Sequence, residues 1–165
     1  MRFALNNIRS AWNVGAIMRT CDALGAGIIL VGYTAKPRGR ALSMIAKTAI
    51  GAESTVAWES FDAPGQVLET YGSARHVGVE LTRDSQDAYA YFSSPEFRRA
   101  SGEVILWLGN EISGLESSLL ARFEATVHLP MLGTKESLNV ASTACAVGYL
   151  CHYHLDPTPS TSHHP

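Results

Sequence analysis

Apolar positions along the chain alternate between short continuous runs and a three-to-four-residue spacing. The runs at Arg2–Leu5, Gly27–Val31, His76–Leu81, Val104–Leu108 and Thr126–Leu129 have strand length and are rich in β-branched or large apolar residues, with Thr55–Trp58 a weaker candidate. Val104-Ile105-Leu106-Trp107-Leu108 is apolar throughout, which predicts a strand buried on both faces of a parallel sheet. Between the runs, Val14, Ile17, Met18, Cys21 and Leu24 recur at helical spacing, with Asn13 at the expected N-cap and Gly25 just past the end. Ala41–Ala49 and Ala63–Tyr71 are shorter predicted helices. Ser113-Gly114-Leu115-Glu116 reads as a capping box that opens a helix towards Phe123. The longest predicted helix is Leu138–His152, with Leu138, Ala141, Cys145 and Gly148 along one stripe. Strands and helices that alternate in this way predict an α/β domain around a mostly parallel sheet, spanning residues 1–155. The tail at 156–165 has almost no apolar content and is expected to be disordered.

Composition narrows the class. A chain of 165 residues that is 46% hydrophobic and 17% charged fits one globular domain. No apolar run approaches the roughly 20 residues that cross a bilayer, and Met1–Asn6 lacks the apolar stretch of a signal peptide. The three cysteines suggest no disulfide framework, so a cytoplasmic protein is expected. The net charge of −2 hides an asymmetry. Residues 1–50 hold seven basic side chains against Asp22 alone, a balance of +6, and the remainder therefore carries −8. One region is thus able to face phosphates while the whole protein stays mildly acidic.

Familiar signatures are missing. Gly25-Ala26-Gly27 lies after a helix and before a strand, the reverse of a dinucleotide fingerprint. Neither a phosphate-binding G-x-x-x-x-G-K-[ST] loop nor a nucleophile elbow is present. Cys145, Cys151, His152 and His154 do not have the spacing of paired zinc ligands, so no metal is expected. Three polar clusters remain, each placed after a predicted strand and leading into a helix: Asn6–Thr20, Leu108–Glu116 and Leu129–Ser142. In open α/β sheets ligands collect beyond the carboxyl ends of strands, so the three loops can form one site. Taken singly, Asn13 and Ser137 are equally readable as helix caps, Asn139 as an assistant to a cap, and Arg19 and Glu111 as solvated surface residues.

Together these clusters resemble the three motifs of the SpoU (TrmH-type) branch of the SPOUT RNA methyltransferases. The likeness is carried by Asn13-Val14-Gly15-Ala16-Ile17-Met18-Arg19-Thr20, by Leu108-Gly109-Asn110-Glu111-Ile112-Ser113-Gly114-Leu115, and by Leu129-Pro130-Met131 followed by Ser137-Leu138-Asn139-Val140-Ala141. Lys47–Glu53 resembles the segment between the first two motifs. The resemblance implies a C-terminal deep trefoil knot, S-adenosylmethionine as cofactor, and methyl transfer to a ribose 2′-hydroxyl of RNA. It implies catalytic or substrate-side roles for Arg19, Asn13, Glu111, Ser137 and Asn139, and cofactor contacts at Leu81, Gly109, Leu129, Met131, Ser137 and Leu138. It also implies a homodimer paired through the knot region, with the terminal helix and Trp12 as contributors. Arg9, Lys36, Arg38 and Arg40 are the expected RNA-binding cations, the last three on a loop after Gly27–Val31. The chain opens almost at the first strand, which favours a minimal catalytic domain and a small RNA such as tRNA over rRNA. One departure stands out: the terminal helix continues as Gly148-Tyr149-Leu150-Cys151-His152, where the family usually places a late polar residue. The competing readings are a non-catalytic RNA-binding protein and a base-nitrogen methyltransferase of another knotted branch.

Overall fold

The computed structural model describes residues 1–155, and the tail expected to be disordered lies outside them. Seven strands form one sheet in which every pairing is parallel. In chain order they are β1 (Arg2–Asn6), β2 (Gly27–Val31), β3 (Trp58–Phe61), β4 (Arg75–Val79), β5 (Gln86–Asp87), β6 (Val104–Leu108) and β7 (Ala125–His128). In space the order is β3-β2-β1-β6-β4-β7-β5. The interior strands β4 and β6 are buried at every position, β6 as its unbroken apolar run requires and β4 with Arg75 and His76 buried among its apolar residues.

Strand alternation divides the core in two. Phe3, Leu5, Ile28, Leu30, Leu106 and Leu108 face α1 (Ala11–Leu24), α3 (Ala52–Thr55), α5 (Ala88–Ser93), α6 (Pro95–Arg99) and α8 (Val140–Leu155). Ala4, Ile29, Val31, Ile105 and Trp107 face α4 (Pro64–Thr70) and α7 (Ser117–Leu120). The remaining helix, α2 (Gly39–Ala49), crosses α1 at Gly15, where any Cβ would collide with the Ile45 carbonyl and the Thr48 hydroxyl. That hydroxyl in turn donates to the Trp12 carbonyl at 2.8 Å. On α8, Gly148 lies against the Phe3 ring, so a side chain there would meet it.

Several expected boundaries move, each for a local reason. The cap of α1 is Ser10, whose hydroxyl accepts from the Asn13 amide at 3.3 Å, so Asn13 is not the cap and its carboxamide is available elsewhere. Thr55 closes α3 through a 2.6 Å bond to Asp22, which delays the strand expected at Thr55–Trp58 until Trp58. The helix expected from Ser113 shrinks to Ser117–Leu120, because the Asn110 side chain accepts from the Ile112 and Ser113 amides and holds a turn there. α8 starts at Val140, so Leu138 precedes it; its buried stripe is Ala144, Val147, Gly148 and Cys151, and Cys145 faces outward. Gln86–Arg99 carries elements that periodicity does not reveal; Phe92 and Phe97 pack edge to face at 5.0 Å, with the Arg75 guanidinium over the Phe97 ring.

A buried histidine sits between β4 and β6. His76 Nδ1 accepts from the Trp107 indole at 3.0 Å, and Nε2 reaches the Tyr71 carbonyl at 2.9 Å. Accepting at one nitrogen and donating at the other requires the neutral ring. Burial pushes the His76 pKa below its ordinary value, and the nearby Arg122 charge adds to this, against an opposing pull from the Tyr71 carbonyl. In the unfolded chain the ring titrates near ~6.5. Its contribution to stability is therefore full above that pH and is lost as pH falls towards the lower folded value. Urea midpoints at pH 7.5 and 5.5 should fall further for the wild type than for His76→Gln; equal losses would show that the ring's ionisation is irrelevant to stability.

Candidate functional site

A cavity of about 350 Å³ opens beyond the carboxyl ends of β4, β6 and β7, the position at which open parallel sheets bind ligands. Its walls come from Val79–Leu81 after β4, Leu108–Ile112 and Gly114 around the β6 loop, His128, Leu129 and Met131 after β7, and Glu136–Val140 with Thr143 at the start of α8. All six expected cofactor contacts, Leu81, Gly109, Leu129, Met131, Ser137 and Leu138, line it. The floor depends on Gly109. A Cβ there would collide with the Gly114 carbonyl and come within 2.6 Å of the Leu115 amide nitrogen, so the β6 loop folds back on itself only over a bare backbone. Leu81, Leu129, Met131 and Leu138 make much of the lining apolar, and backbone amides and carbonyls of the loops supply polar edges, the usual make-up of a small-molecule site.

At the cavity's rim the three polar loops are joined by one chain of hydrogen bonds. The Glu111 carboxylate accepts from the Arg9 amide at 2.9 Å, the Ser10 amide at 3.1 Å and the Asn13 carboxamide at 2.9 Å. Asn13 Oδ1 then accepts from Asn139 Nδ2 at 3.2 Å, and Asn139 Oδ1 caps α8 by accepting from the Ala141 amide at 2.9 Å. An acidic side chain here also meets the electropositive start of α1. Burial pushes the Glu111 carboxyl up, but the Arg9 amide, the Asn13 carboxamide and the Ser10 amide outweigh it and hold its pKa below the ordinary value. Glu111 is thus an ionised anchor, and Asn13 and Asn139 are fixed in orientation by it. Ser137 lies on the cavity wall and is exposed.

Arg19 is not brought to this cavity. It lies on a second hollow with Lys47, Thr48 and Ile50 from the α2 side and Cys145 and Tyr149 from α8. Six residues beyond Asn13 on the same helix, it stands about 9 Å further along the axis and on a different face. The expected basic loop is also shorter than predicted, since Gly39 and Arg40 begin α2 and Arg38 occupies its N-cap without a capping side-chain bond. Lys36 donates to the Gly32 carbonyl at 3.2 Å. Among the described residues no group of three or more His, Cys, Asp or Glu side chains is placed to hold a metal ion.

Two residues of the site escape sequence reasoning. Asn110 donates to the Asn7 carbonyl at 2.9 Å and to the Tyr33 hydroxyl at 2.6 Å, and thereby sets the shape of the β6 loop. Glu80 Oε2 accepts from the Leu115 amide at 2.9 Å and closes the same loop from the β4 side. Asn110 stood within the second motif with no role assigned, and Glu80 offered only a polar residue directly after a strand.

A parallel α/β sheet with a cavity over its strand ends, rimmed by loops after three different strands, defines a ligand-binding α/β domain. The family profile described as the SpoU rRNA methylase family matches residues 1–149, and the chain belongs to that family. Among its relatives, the 23S rRNA (uridine(2479)-2′-O)-methyltransferase of Streptomyces viridochromogenes is 28% identical over 144 residues, which are 85% of this chain and 48% of that protein. The crystal structure of the SpoU methyltransferase AviRb from the same organism, in complex with the cofactor AdoMet, superposes with a TM-score of 0.77 at 25% identity, over 92% of this chain and 59% of that one. A structure concerned with 2-OH methylation of C/U34 on tRNA superposes with a TM-score of 0.78 at 25% identity, over 93% of this chain and 95% of that one. The chain spans about half the length of the first of these relatives.

The Glu111 anchor carries a direct consequence for stability. Glu111→Gln keeps the side chain's size but loses a charged acceptor for two backbone amides, which in an exposed setting should cost about 1 kcal/mol at pH 7. Because the Glu111 pKa is depressed on folding, the contribution is present above ~4.3 and is lost as pH falls through the folded value. Wild type and variant should therefore converge in urea midpoint between pH 7 and pH 3.5; a difference that is constant across that range would contradict the anchor.

Proposed function

We propose that this chain is an S-adenosylmethionine-dependent RNA methyltransferase that acts on a ribose 2′-hydroxyl, with tRNA favoured over rRNA. The observation that carries this reading is the Glu111–Asn13–Asn139 chain of hydrogen bonds at the rim of the cavity, in a member of the SpoU family. The named activities of the 2′-O-methyltransferase relatives support the reaction, and the AdoMet complex supports the cofactor. The tRNA preference draws on the structure concerned with 2-OH methylation of C/U34 on tRNA. We propose further that residues 1–155 form one domain tied as a deep trefoil knot, and that the protein works in the cytoplasm, where its three cysteines stay reduced.

The residues present fit the cofactor. Gly109 lets the β6 loop fold back on itself and form the cavity floor, with Leu81, Leu129, Met131 and Leu138 around the space and Ser137 at the wall. When bound, the cofactor supplies a methyl group on a positively charged sulfur. The ribose oxygen would take that methyl, the neutral thioether would leave, and the hydroxyl proton would pass to water. The chain has to align the hydroxyl and stabilise the charge that develops on its oxygen. Asn13 and Asn139, oriented through Glu111, are placed to position the ribose. Arg19, a permanent cation, holds the neighbouring phosphate and stabilises the developing alkoxide.

Arg19 stands away from the cavity of its own chain, so this role calls for a second copy. We propose a homodimer that buries the hollow around Arg19, where Ile50 and Tyr149 are left 65% and 51% exposed. Packing on that face brings Arg19 of one protomer towards the other's site. The cations Arg9, Lys36, Arg38 and Arg40 grip RNA. Arg38 and Arg40 sit at the uncapped start of α2, where cations oppose the helix dipole and a phosphate would relieve both.

The defining test is transfer of tritium from labelled S-adenosylmethionine to tRNA and rRNA, followed by nucleoside analysis. Ribose-methylated nucleosides are expected; base-methylated nucleosides, or no transfer, would overturn the reading. Arg19→Ala should abolish most transfer and leave cofactor affinity within a few-fold, whereas Leu138→Trp, which crowds the cavity, should weaken cofactor binding. Calorimetry that finds cofactor binding abolished in a folded Arg19→Ala protein would contradict the division. The basic surface makes a separate prediction. A Lys36, Arg38 and Arg40 triple alanine variant should bind RNA more weakly and with a shallower dependence on salt, because fewer counterions are released. An unaltered slope and affinity would mean that these charges face only water.

A further inference from the structure

Tyr33 is an exposed aromatic that the structure nevertheless holds rigid. It follows β2 in a turn opened by Gly32, whose φ of 65° is left-handed, and the residue is 62% exposed. Its backbone amide donates to the Asn7 side chain at 3.2 Å. At the other end its hydroxyl accepts from Asn110 at 2.6 Å. Gly32 has no room for a side chain because the Asn7 carboxamide lies against it. A tyrosine placed only for solubility would not need partners at both ends, and its exposed ring is a large apolar surface left in water.

The surroundings say what would cover that ring. Asn110 is the residue that shapes the β6 loop and lines the cavity, so the ring stands at the same end of the sheet as the site. Lys36 is bonded to the carbonyl of Gly32, the residue before Tyr33, which holds an ammonium at the same turn. Arg38 and Arg40 follow within residues 1–50, the stretch that carries +6. A flat π-face with cations alongside matches a nucleobase with its phosphate, the combination by which proteins hold unpaired nucleotides.

We propose that Tyr33 is a fixed stacking platform for an unpaired base of the RNA substrate, with Lys36 meeting the adjoining phosphate. The proposal rests on the RNA-methyltransferase reading above. It adds that the substrate is engaged through a single-stranded nucleotide next to the cavity rather than through duplex alone. Pinning at both ends means that the ring loses little freedom when a base settles on it, so the stack is gained at low entropic cost.

The test uses the full chain and a short, unstructured, fluorescently labelled RNA, with a duplex of the same sequence as comparison. Tyr33→Leu should weaken binding of the single strand by roughly 5- to 100-fold, the range of one lost base–aromatic stack. Tyr33→Phe keeps the ring and should remain within about 3-fold of wild type. Tyr33→Trp should bind at least as well and show indole quenching by RNA beyond that of the wild type. Far-ultraviolet circular dichroism should be the same in all four proteins, which reports that they are folded. Wild-type single-strand affinity in Tyr33→Leu would overturn the proposal alone, as would an equal loss on the duplex. Absence of RNA binding by the wild type would overturn the reading beneath it as well.

Discussion

The site depends on a carboxylate that holds down the start of a helix. Glu111 comes from the loop after β6, yet its partners are the amides of Arg9 and Ser10 and the carboxamide of Asn13, about a hundred residues earlier. Strands β1 and β6 are neighbours in the sheet, so their following loops meet at the same edge. The interaction is therefore a product of topology: a parallel order with β1 beside β6 delivers an acid to an electropositive helix end. Once Glu111 is in place, Asn13 has one orientation, Asn139 is drawn to it, and α8 begins where Asn139 caps it.

This arrangement also explains why the rim is polar while the cavity is not. The carboxylate's capacity is used by backbone amides and an amide side chain, so its charge is compensated at the surface and stays ionised. The cavity beside it is left to Leu81, Leu129, Met131, Leu138 and the bare backbone at Gly109. A charged group facing into that space unpaired would carry a desolvation cost. Glu80, a second carboxylate at the cavity, avoids much of that cost by accepting from the Leu115 amide.

What was legible in the sequence follows from how local each feature is. β1, β2 and β6 are continuous apolar runs, and burial on both faces of a parallel sheet leaves that mark in any window that contains them. Asn13, Glu111 and Asn139 were legible as members of motifs, though their mutual bonds span 98 and 126 residues and have no local trace. Misreadings arose where a distant or side-chain partner took over a local signal. Asn110 captured the Ser113 amide that a capping box there was expected to use, so the helix starts later. The outward face of α8 was misjudged because small residues occur on both of its sides, and only the Phe3 ring decides that Gly148 points inward. Residues 86–99 fold around Arg75, which is bonded to Glu124 while Glu124 accepts from Tyr91; none of those partners is close in sequence.

Helix α1 links the two parts of the surface that chemistry would need. Its first turn is fixed to the cavity rim through Ser10, Asn13 and Glu111, and its later turns present Arg19 on a separate hollow. Gly15, midway between, lets α2 lie so close that α1 has no freedom to shift against it. A helix held at its start by a carboxylate and in its middle by a backbone contact behaves as a rigid rod. The position of Arg19 relative to the cavity is therefore set once the fold is made. Any group that must reach both Arg19 and the cavity has to do so through an approach from outside the chain, because nothing within α1 can bend to bring them together.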